Sequence, residues 1–218
     1  MKIVTLFPFE PAEIETIQKA APDTNVEIRI CRSQDEFLEE VRDADVVYGD
    51  VGAKALAAAT KLKWVQAGGA GVESLDPAFR ASDIVLTNYQ ATFAPAISET
   101  AMCLLLCLTR GIARYYMPQF YRSRTMYPKG TTKSADHWEL AGRTMGIVGL
   151  GGIGMWTARR AYYGFQMRVV AIDPRPIARP EFVAELHDPG WFAEMVPQVE
   201  VLVAAAPLTP DTNRMFNE

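Results

Sequence analysis

The sequence TMGIVGLGGIGMWTARRAYYGFQMRVVAID, at residues 144–173, is the stretch from which the fold can be worked out. It opens with an apolar run, Met145–Val148, that predicts a buried strand, and the glycine-rich hexapeptide GLGGIG follows at residues 149–154. The run Met155–Tyr163 predicts an amphipathic helix, and Met167–Ile172 predicts a second buried strand. A glycine pattern between a strand and a helix, inside a unit of about thirty residues, is typical of a dinucleotide-binding site.

The three spaced glycines each meet a separate requirement of such a site. Gly149 permits the tight turn from strand to helix, Gly151 lets the backbone approach a pyrophosphate, and Gly154 lets the helix pack closely on the sheet. The N-terminus of the helix then offers free N–H groups and a partial positive charge to the phosphates. The alternative is a glycine-rich turn in an α/β protein that binds no nucleotide.

An acidic residue, Asp173, follows the second strand, where a carboxylate can accept hydrogen bonds from both hydroxyls of an adenine ribose. The same charge repels a 2′-phosphate, so we expect NAD as the cofactor in preference to NADP. Arg175 argues in the other direction, because a guanidinium could pair with a 2′-phosphate or stack on the adenine. In the alternative interpretation, Asp173 is only a turn residue before Pro174.

The composition argues against several other classes of protein. The 218 residues carry a net charge of −4 and no basic stripe, which argues against a nucleic-acid partner. The three cysteines form no disulfide framework, and Cys103 and Cys107 are interpreted as two small core residues without a His or acid at metal-ligand spacing, so we expect no metal site. The N-terminus does not fit a signal peptide and no apolar run is long enough for a membrane span, so we expect a soluble cytoplasmic protein.

Two α/β units are predicted along the chain. In residues 1–95 short apolar strands alternate with helices, which predicts a parallel sheet covered by helices on both faces. Ser98 can then cap a long apolar helix, Glu99–Tyr116, whose leucines suggest burial between two domains or two subunits. The polar segment Pro118–Ala141 is predicted to be an irregular arm. The second unit, residues 96–218, includes this helix, the arm and the GLGGIG loop.

A second glycine-rich loop follows a strand of the first unit, in the sequence WVQAGGAGVE at residues 64–73. Three glycines in four positions can turn successive N–H groups inward to bind an anion. The loop is predicted at the carboxyl end of a parallel strand, where open α/β sheets bind their ligands. We expect it to bind a substrate carboxylate, and a flexible turn without a ligand is the alternative.

The chain has only two histidines, His137 and His187. Hydride transfer to a carbonyl requires a proton donor, which is usually a histidine oriented by a carboxylate. Neither histidine has a convincing partner in the sequence, and we expect both to be surface residues. The sequence therefore offers no convincing catalytic acid or base.

The order of these segments resembles the D-isomer-specific 2-hydroxyacid dehydrogenase family over the whole chain. The segments that carry the resemblance are, in order, WVQAGGAGVE, LTNYQATFAPAISETAMCLLLCLTRG, WELAGRTMGIVGLGGIG, AIDPR and AAPLTPDTNRMFN. The resemblance implies a flavodoxin-like substrate domain at residues 1–95 and a Rossmann NAD-binding domain at 96–218, with a cleft between them. It implies oxidation of a (D)-2-hydroxy acid or reduction of a 2-oxo acid, and a homodimer formed through helix 98–116 and the arm that continues to residue 141.

The resemblance also assigns roles to individual residues. The backbone of Ala70 and Gly71 is expected to hold the substrate carboxylate. Gly152 and Ile153 are expected to meet the pyrophosphate, and Asp173 the adenosine ribose. Ala206 and Pro207 are expected to line the adenosine side, Thr212 to lie near the cofactor and Thr100 to lie near the nicotinamide.

One departure from the family is large, because family members continue well past the point where this chain stops. The family's catalytic Arg, Glu and His would lie beyond Glu218, so no catalytic residue is expected within the chain. Val199–Ala205 would then be an apolar edge strand, and such an edge promotes association. We expect either a fragment of a longer enzyme or an edge covered by a second chain. A non-catalytic, NAD(H)-binding regulatory or assembly protein derived from this fold is the alternative function.

Overall fold

The computed structural model describes residues 1–72, 76–124 and 137–216. The chain forms two compact units, Met1–Thr92 and Phe93–Glu218, and each is built on a parallel sheet. The division predicted after residue 95 lies slightly beyond the observed one, within the first turn of a helix.

The first unit has the α/β architecture that the alternating strands and helices predict. Its sheet has the order β2-β1-β3-β4-β5 with every pair parallel, which is the strand order of the flavodoxin-like fold. Its strands are β1 (Lys2–Thr5), β2 (Glu27–Ile30), β3 (Val46–Tyr48), β4 (Trp64–Gln66) and β5 (Val85–Thr87). Its helices in the described residues are α1 (Pro11–Ala20), α2 (Gln34–Glu40), α3 (Ala53–Ala58) and α4 (Pro77–Arg80).

Four strands of the first sheet end level with one another at the carboxyl edge. In the register of the sheet Thr5 pairs with Tyr48, Tyr48 with Gln66, and Gln66 with Thr87. The loops that follow these four residues therefore start side by side. Apolar clusters on the two faces hold the sheet, and their members include Val4, Phe37, Val47 and Val65 on one face and Ile3 and Val46 on the other.

The second unit has the Rossmann strand order. Its sheet reads β8-β7-β6-β9, so the first strand of the unit lies between the second and the fourth. Its strands are β6 (Thr144–Val148), β7 (Arg168–Ile172), β8 (Glu185–His187) and β9 (Val201–Ala204). Its helices in the described residues are α5 (Ala94–Thr109), α6 (Met117–Ser123), α7 (Gly152–Phe165) and α8 (Phe192–Met195).

The long helix α5 begins earlier than predicted. It starts at Ala94 with Pro95 in its first turn, where the missing N–H of a proline is not needed for the helix. Ser98 is buried inside the helix, and its hydroxyl donates to the carbonyl of Pro95. The predicted cap at Ser98 is therefore wrong, because the turn that contains the proline itself begins the helix.

Helix α5 also ends earlier than predicted, at Thr109. Gly111 has a left-handed φ of +66°, and a π-helical turn, Ile112–Tyr116, leads into α6. Helix α6 lies almost wholly in the segment predicted to be an irregular arm, so that prediction is wrong for residues 118–123. Residues 125–136 of the predicted arm lie outside the described residues.

Helix α7 packs on the end of β6 through a glycine. An added Cβ on Gly154 would lie 2.1 Å from the carbonyl oxygen of Gly149 and 3.1 Å from Cγ2 of Ile147. The first turn of α7 therefore lies against the strand end with no room for a side chain. The helix does not end at Gly164 as the glycine suggests but continues to Phe165, and its C-cap residue Gln166 adopts the left-handed conformation (φ +54°).

We expect Gly154→Ala to lower the free energy of unfolding by about 1–3 kcal/mol or more, because the new methyl group forces α7 away from β6. The matched control is Gly164→Ala in the same helix, where an added Cβ meets no described atom within 4 Å beyond the helix's own backbone. The control should keep the stability or raise it by up to about 1 kcal/mol. Denaturant titration followed by circular dichroism measures both changes, and equal losses in the two variants would contradict the close approach.

Candidate functional site

The glycine loop joins the end of β6 to the start of α7 at the carboxyl edge of the second sheet. Gly149 has a φ of +91°, and its N–H donates to the carbonyl of Ile172 over 2.9 Å. An added Cβ on Gly149 would lie 2.8 Å from the backbone of Ala206. The loop after β9 therefore packs directly on the glycine loop and brings Ala206 beside Gly149.

The N-terminus of α7 is open to a ligand. Its N-cap residue is Gly151, which has no side chain to cap the first turn. Among the described residues, none accepts a hydrogen bond from the N–H groups of Gly152 and Ile153. An added Cβ on Gly151 would approach only the Arg175 guanidinium, at 3.9 Å. Unused N–H groups, a helix dipole and an N-cap glycine without a side chain together fit the pyrophosphate of a dinucleotide.

The carboxylate of Asp173 lies just past the end of β7 and is held by two residues. The backbone N–H of Leu150 donates to Oδ2 over 2.8 Å, which ties Asp173 to the glycine loop. Arg175 donates from its backbone N–H and from Nε to Oδ1, both over 2.9 Å, and from Nη2 to Oδ2 over 3.0 Å. The side chain of Asp173 is 3% exposed, whereas that of Arg175 is 51% exposed.

These contacts differ from the open carboxylate that the sequence suggests. A carboxylate has about four lone-pair sites, and the bonds from Leu150 and Arg175 use them while Arg175 stays in place. Burial opposes ionisation, but the hydrogen bonds from Arg175 and Leu150 outweigh it and lower the pKa of Asp173. The same pairing raises the pKa of Arg175. The group presented to solvent beside the glycine loop is therefore the Arg175 guanidinium.

The other residues predicted near the cofactor lie on two elements. Pro207 follows Ala206 after β9, and its carbonyl accepts a hydrogen bond from Thr212 Oγ1 over 2.7 Å. Thr212 Oγ1 also accepts from the N–H of Thr209 over 2.8 Å, so Thr212 closes the loop that packs on Gly149. Thr100 stands on α5, where its hydroxyl donates to a carbonyl of its own helix.

In the first unit, the loop after β4 is fixed by the loop after β5. The N–H of Tyr89 donates to the carbonyl of Gly69 over 3.1 Å, and Nδ2 of Asn88 donates to the carbonyl of Ala70 over 2.8 Å. These bonds use only carbonyl groups of the loop. Within the described part of the chain, no residue accepts a hydrogen bond from the N–H groups of Gly69, Ala70 and Gly71. Three successive donors are thus available for an anion.

A group of aromatic side chains that the sequence reading missed lies beside this loop. The hydroxyl of Tyr48, at the end of β3, is 3.2 Å from that of Tyr89, which follows β5. The rings of Phe7 and Phe9, which follow β1, lie 5.5 and 4.8 Å from the Tyr48 ring. The hydrogen bond to Tyr89, together with burial, raises the pKa of Tyr48 to about 12. Aromatic residues at the ends of successive predicted strands were the signal that could have revealed this group.

Both histidines have aromatic neighbours. His187 lies at the end of β8, where Nε2 is 3.2 Å from Glu185 and the ring centroid is 4.1 Å from that of Trp191. His137 is half-buried against Tyr116 at a centroid distance of 6.1 Å, so the expectation of a surface position is wrong for this residue. The sequence did not predict this position of His137, because its aromatic neighbour Tyr116 is distant from it along the chain.

The described residues contain neither a metal-binding cluster nor a single helix suited to cross a membrane. Among them no group of three or more His, Cys, Asp and Glu residues could hold a metal ion. No single described helix has the length and apolar character to cross a membrane. Ala94–Thr109 and Ile112–Ser123 reach that length and composition only as a pair, and the two are bent by 63°.

The second unit and the whole chain both have recognisable relatives. Residues 102–218 match the family model described as D-isomer specific 2-hydroxyacid dehydrogenase, NAD binding domain. The chain is 28% identical to D-3-phosphoglycerate dehydrogenase of Methanocaldococcus jannaschii, over 99% of this chain and 40% of the relative. It is 31% identical to hydroxypyruvate reductase of Thermotoga maritima, over 84% of this chain and 58% of the relative. The chain thus spans about half the length of these curated relatives.

Solved structures of this fold cover nearly all of the chain. A D-isomer specific 2-hydroxyacid dehydrogenase family protein from Aeromonas salmonicida matches with a TM-score of 0.75 and 25% identity, over 99% of this chain and 66% of that chain. D-Lactate dehydrogenase from Aquifex aeolicus, complexed with NAD and lactic acid, matches with a TM-score of 0.73 and 18% identity, over 100% of this chain and 64% of that chain. Because the family model matches more than half of its residues, the chain belongs to the D-isomer-specific 2-hydroxyacid dehydrogenase family, and its second unit carries that family's NAD-binding domain.

Proposed function

We propose that the protein is an NAD-dependent oxidoreductase that acts on the CH–OH group of a (D)-2-hydroxy acid, or reduces a 2-oxo acid such as glyoxylate or hydroxypyruvate. The observation that carries the proposal is the open N-terminus of α7, whose N-cap Gly151 has no side chain, in a domain of the NAD-binding family. The N-H groups of Gly69, Ala70 and Gly71 add a second requirement of the reaction, a place for a substrate carboxylate.

The two units have separate tasks in this proposal. The glycine loop at residues 149–154 holds the pyrophosphate through the N–H groups of Gly152 and Ile153, and the nicotinamide, when bound, supplies or accepts the hydride. The N–H groups of Ala70 and Gly71 bind the substrate carboxylate and so orient the carbonyl carbon for reaction. Fixing the acid by its carboxylate also selects 2-oxo acids over simple ketones.

The proposal assigns no acid–base residue to these 218 residues. An NAD(H)-binding regulatory or assembly protein without turnover is therefore the second candidate. The observation in its favour is that His187 is already engaged by Glu185 and Trp191, and that Glu185 is also paired with Arg168. Such a protein needs the glycine loop but has no use for a carboxylate site at Ala70 and Gly71.

Oxidation of NADH distinguishes the two candidate functions. We expect protein expressed from the intact gene to bind NADH in a fluorescence titration and to oxidise it when glyoxylate or hydroxypyruvate is added. We expect the 218-residue chain alone to bind NADH with little or no turnover, because no acid–base residue is assigned to it. Binding by the intact protein without oxidation in the presence of any 2-oxo acid would favour the regulatory role. A failure to bind NADH would refute both candidates.

The Asp173–Arg175 pair should determine the preference between NADH and NADPH. Arg175→Ala frees the carboxylate for the ribose hydroxyls and removes the cation nearest to a 2′-phosphate, so we expect the preference for NADH to widen by about tenfold. Asp173→Asn removes the charge that repels a 2′-phosphate, so we expect the preference for NADH over NADPH to become smaller.

Fluorescence titrations with both cofactors measure these two changes. Arg159→Ala is the matched control, since this exposed arginine lies on α7 beside Trp156 and not at the glycine loop. Wild-type affinities for both cofactors in the two test variants would remove Asp173 and Arg175 from the cofactor site.

We also propose that a second copy of the chain covers the outer face of α5. Leu104 is 59% exposed and Leu108 is 72% exposed in the single chain. Both leucines line a groove of about 480 Å³ between α5 and β9, and its mainly apolar lining also includes Leu105, Val201 and Leu202. Exposed leucines beside an apolar groove are typical of a subunit interface.

Leu108→Lys should convert the dimer into a monomer, because it places a charge in the apolar interface. Size-exclusion chromatography with light scattering gives the molar mass directly. Val85→Lys is the control, since Val85 is 58% exposed on β5 and belongs to the first unit. A dimeric Leu108→Lys variant would show that another face is used, and a monomeric wild type would refute the dimer.

A further inference from the structure

The aromatic group of the first unit forms a continuous surface at the carboxyl edge of the sheet. We call Phe7, Phe9, Tyr48 and Tyr89 the aromatic wall. The Phe7 ring lies 5.0 Å from the Phe9 ring, and both contact Tyr48 in edge or tilted arrangements. Tyr48 then meets Tyr89 through the two hydroxyls. The wall thus draws on the loops after β1 and β5 and on the last residue of β3.

The wall adjoins the loop proposed to hold the substrate carboxylate. Strand β4 lies between β3 and β5, so the bond between Tyr48 and Tyr89 passes beside its end. The backbone of Tyr89 is bonded to Gly69, and an added Cβ on Gly68 would lie 3.9 Å from Cα of Gly49, the residue after Tyr48. A ligand with its carboxylate on this loop therefore places its other end close to the wall.

Packing of the fold explains only part of the wall. Tyr48 packs on the apolar cluster of Ile3 and Val46, which is an ordinary structural role. Phe7 differs, because its side chain is 45% exposed although its backbone is fixed by a bond from its N–H to Thr5 Oγ1 over 2.8 Å. An exposed aromatic ring held on a fixed backbone suits a ligand contact better than a core position.

The charges around the wall restrict the ligand further. The described residues of the loops after β1, β3, β4 and β5, at 6–10, 49–52, 67–72, 76 and 88–92, include no lysine or arginine. The charged residues among them are acidic, namely Glu10, Asp50 and Asp76. A phosphate or second carboxylate on the substrate would meet like charge there without a cation from these loops, which is unfavourable.

We propose that the aromatic wall makes the first unit selective for 2-oxo acids with an uncharged apolar or aromatic side chain, over phosphorylated or dicarboxylic ones and over glyoxylate, which has no side chain. The inference rests on the proposed function, since it places the carboxylate of the acid on the N–H groups of Gly69, Ala70 and Gly71. Phenylpyruvate is the simplest probe of it, because its ring can pack edge-to-face on the wall.

The test compares three substrates of the protein expressed from the intact gene. NADH oxidation is measured with phenylpyruvate, glyoxylate and 3-phosphohydroxypyruvate, and kcat/KM is obtained for each. We expect the value for phenylpyruvate to exceed both others by about tenfold or more, which is the order of discrimination an apolar pocket provides. Phe7→Ala should lower kcat/KM for phenylpyruvate relative to kcat/KM for glyoxylate by about tenfold.

Two further variants separate the wall from general effects on folding. Tyr89→Phe keeps the ring and loses the hydrogen bond to the Tyr48 hydroxyl. Its ratio of kcat/KM for phenylpyruvate to kcat/KM for glyoxylate should therefore change less than that of Phe7→Ala. Val85→Ala removes exposed apolar surface at the opposite end of the same sheet and should leave the ratio at the wild-type value. Circular dichroism checks that each variant is folded.

Each possible result bears on the inference. A preference for glyoxylate or 3-phosphohydroxypyruvate overturns the inference and leaves the proposed function standing. An unchanged ratio in folded Phe7→Ala also overturns it, because the ring then makes no contact with the substrate. A lack of turnover with all three acids, despite NADH binding, overturns the proposed function and this inference together.

Discussion

The second unit depends on the absence of a side chain at Gly154. Helix α7 approaches the end of β6 so closely that a methyl group would fall within 2.1 Å of a backbone oxygen. This approach aims the N-terminus of the helix, with its unused N–H groups, along the carboxyl edge of the sheet. The turn at Gly149 and the loop at Ala206 pack against the same point. The cofactor site is therefore a product of backbone contacts, and few side chains take part in it.

The first unit uses the same edge of a parallel sheet in a different way. Its strands end in register, so the loops after them begin side by side and can act on one ligand. The loop after β4 contributes N–H groups, and the residues around it contribute aromatic rings. Polar recognition by the backbone and apolar recognition by side chains are thus neighbours on one surface, which is how small-molecule sites are commonly built.

The parallel sheets and the glycine loop could be predicted from the sequence, because they rest on local patterns of apolar residues and glycines, whereas the flavodoxin-like and Rossmann strand orders were expected only from the family resemblance. The start of α5 could not, because Pro95 and Ser98 are both plausible at a helix start and only packing chooses between them. The occupied carboxylate of Asp173 was missed for a similar reason: its bond to Leu150 joins residues on separate elements. The aromatic wall joins residues up to 82 positions apart, from Phe7 to Tyr89, and side-chain periodicity gives no information at that distance.

The hydrogen bond from the N–H of Leu150 to the carboxylate of Asp173 makes the order of the glycine loop depend on pH. The ionised carboxylate holds Leu150 in place, and its pKa is lowered from an ordinary value of 3.8. The stabilisation is complete above the ordinary value and is lost as the pH falls through the lowered pKa of the folded protein. Acid would therefore loosen the loop and release Arg175 in the same step, so that cofactor binding and the local order of the loop fail together.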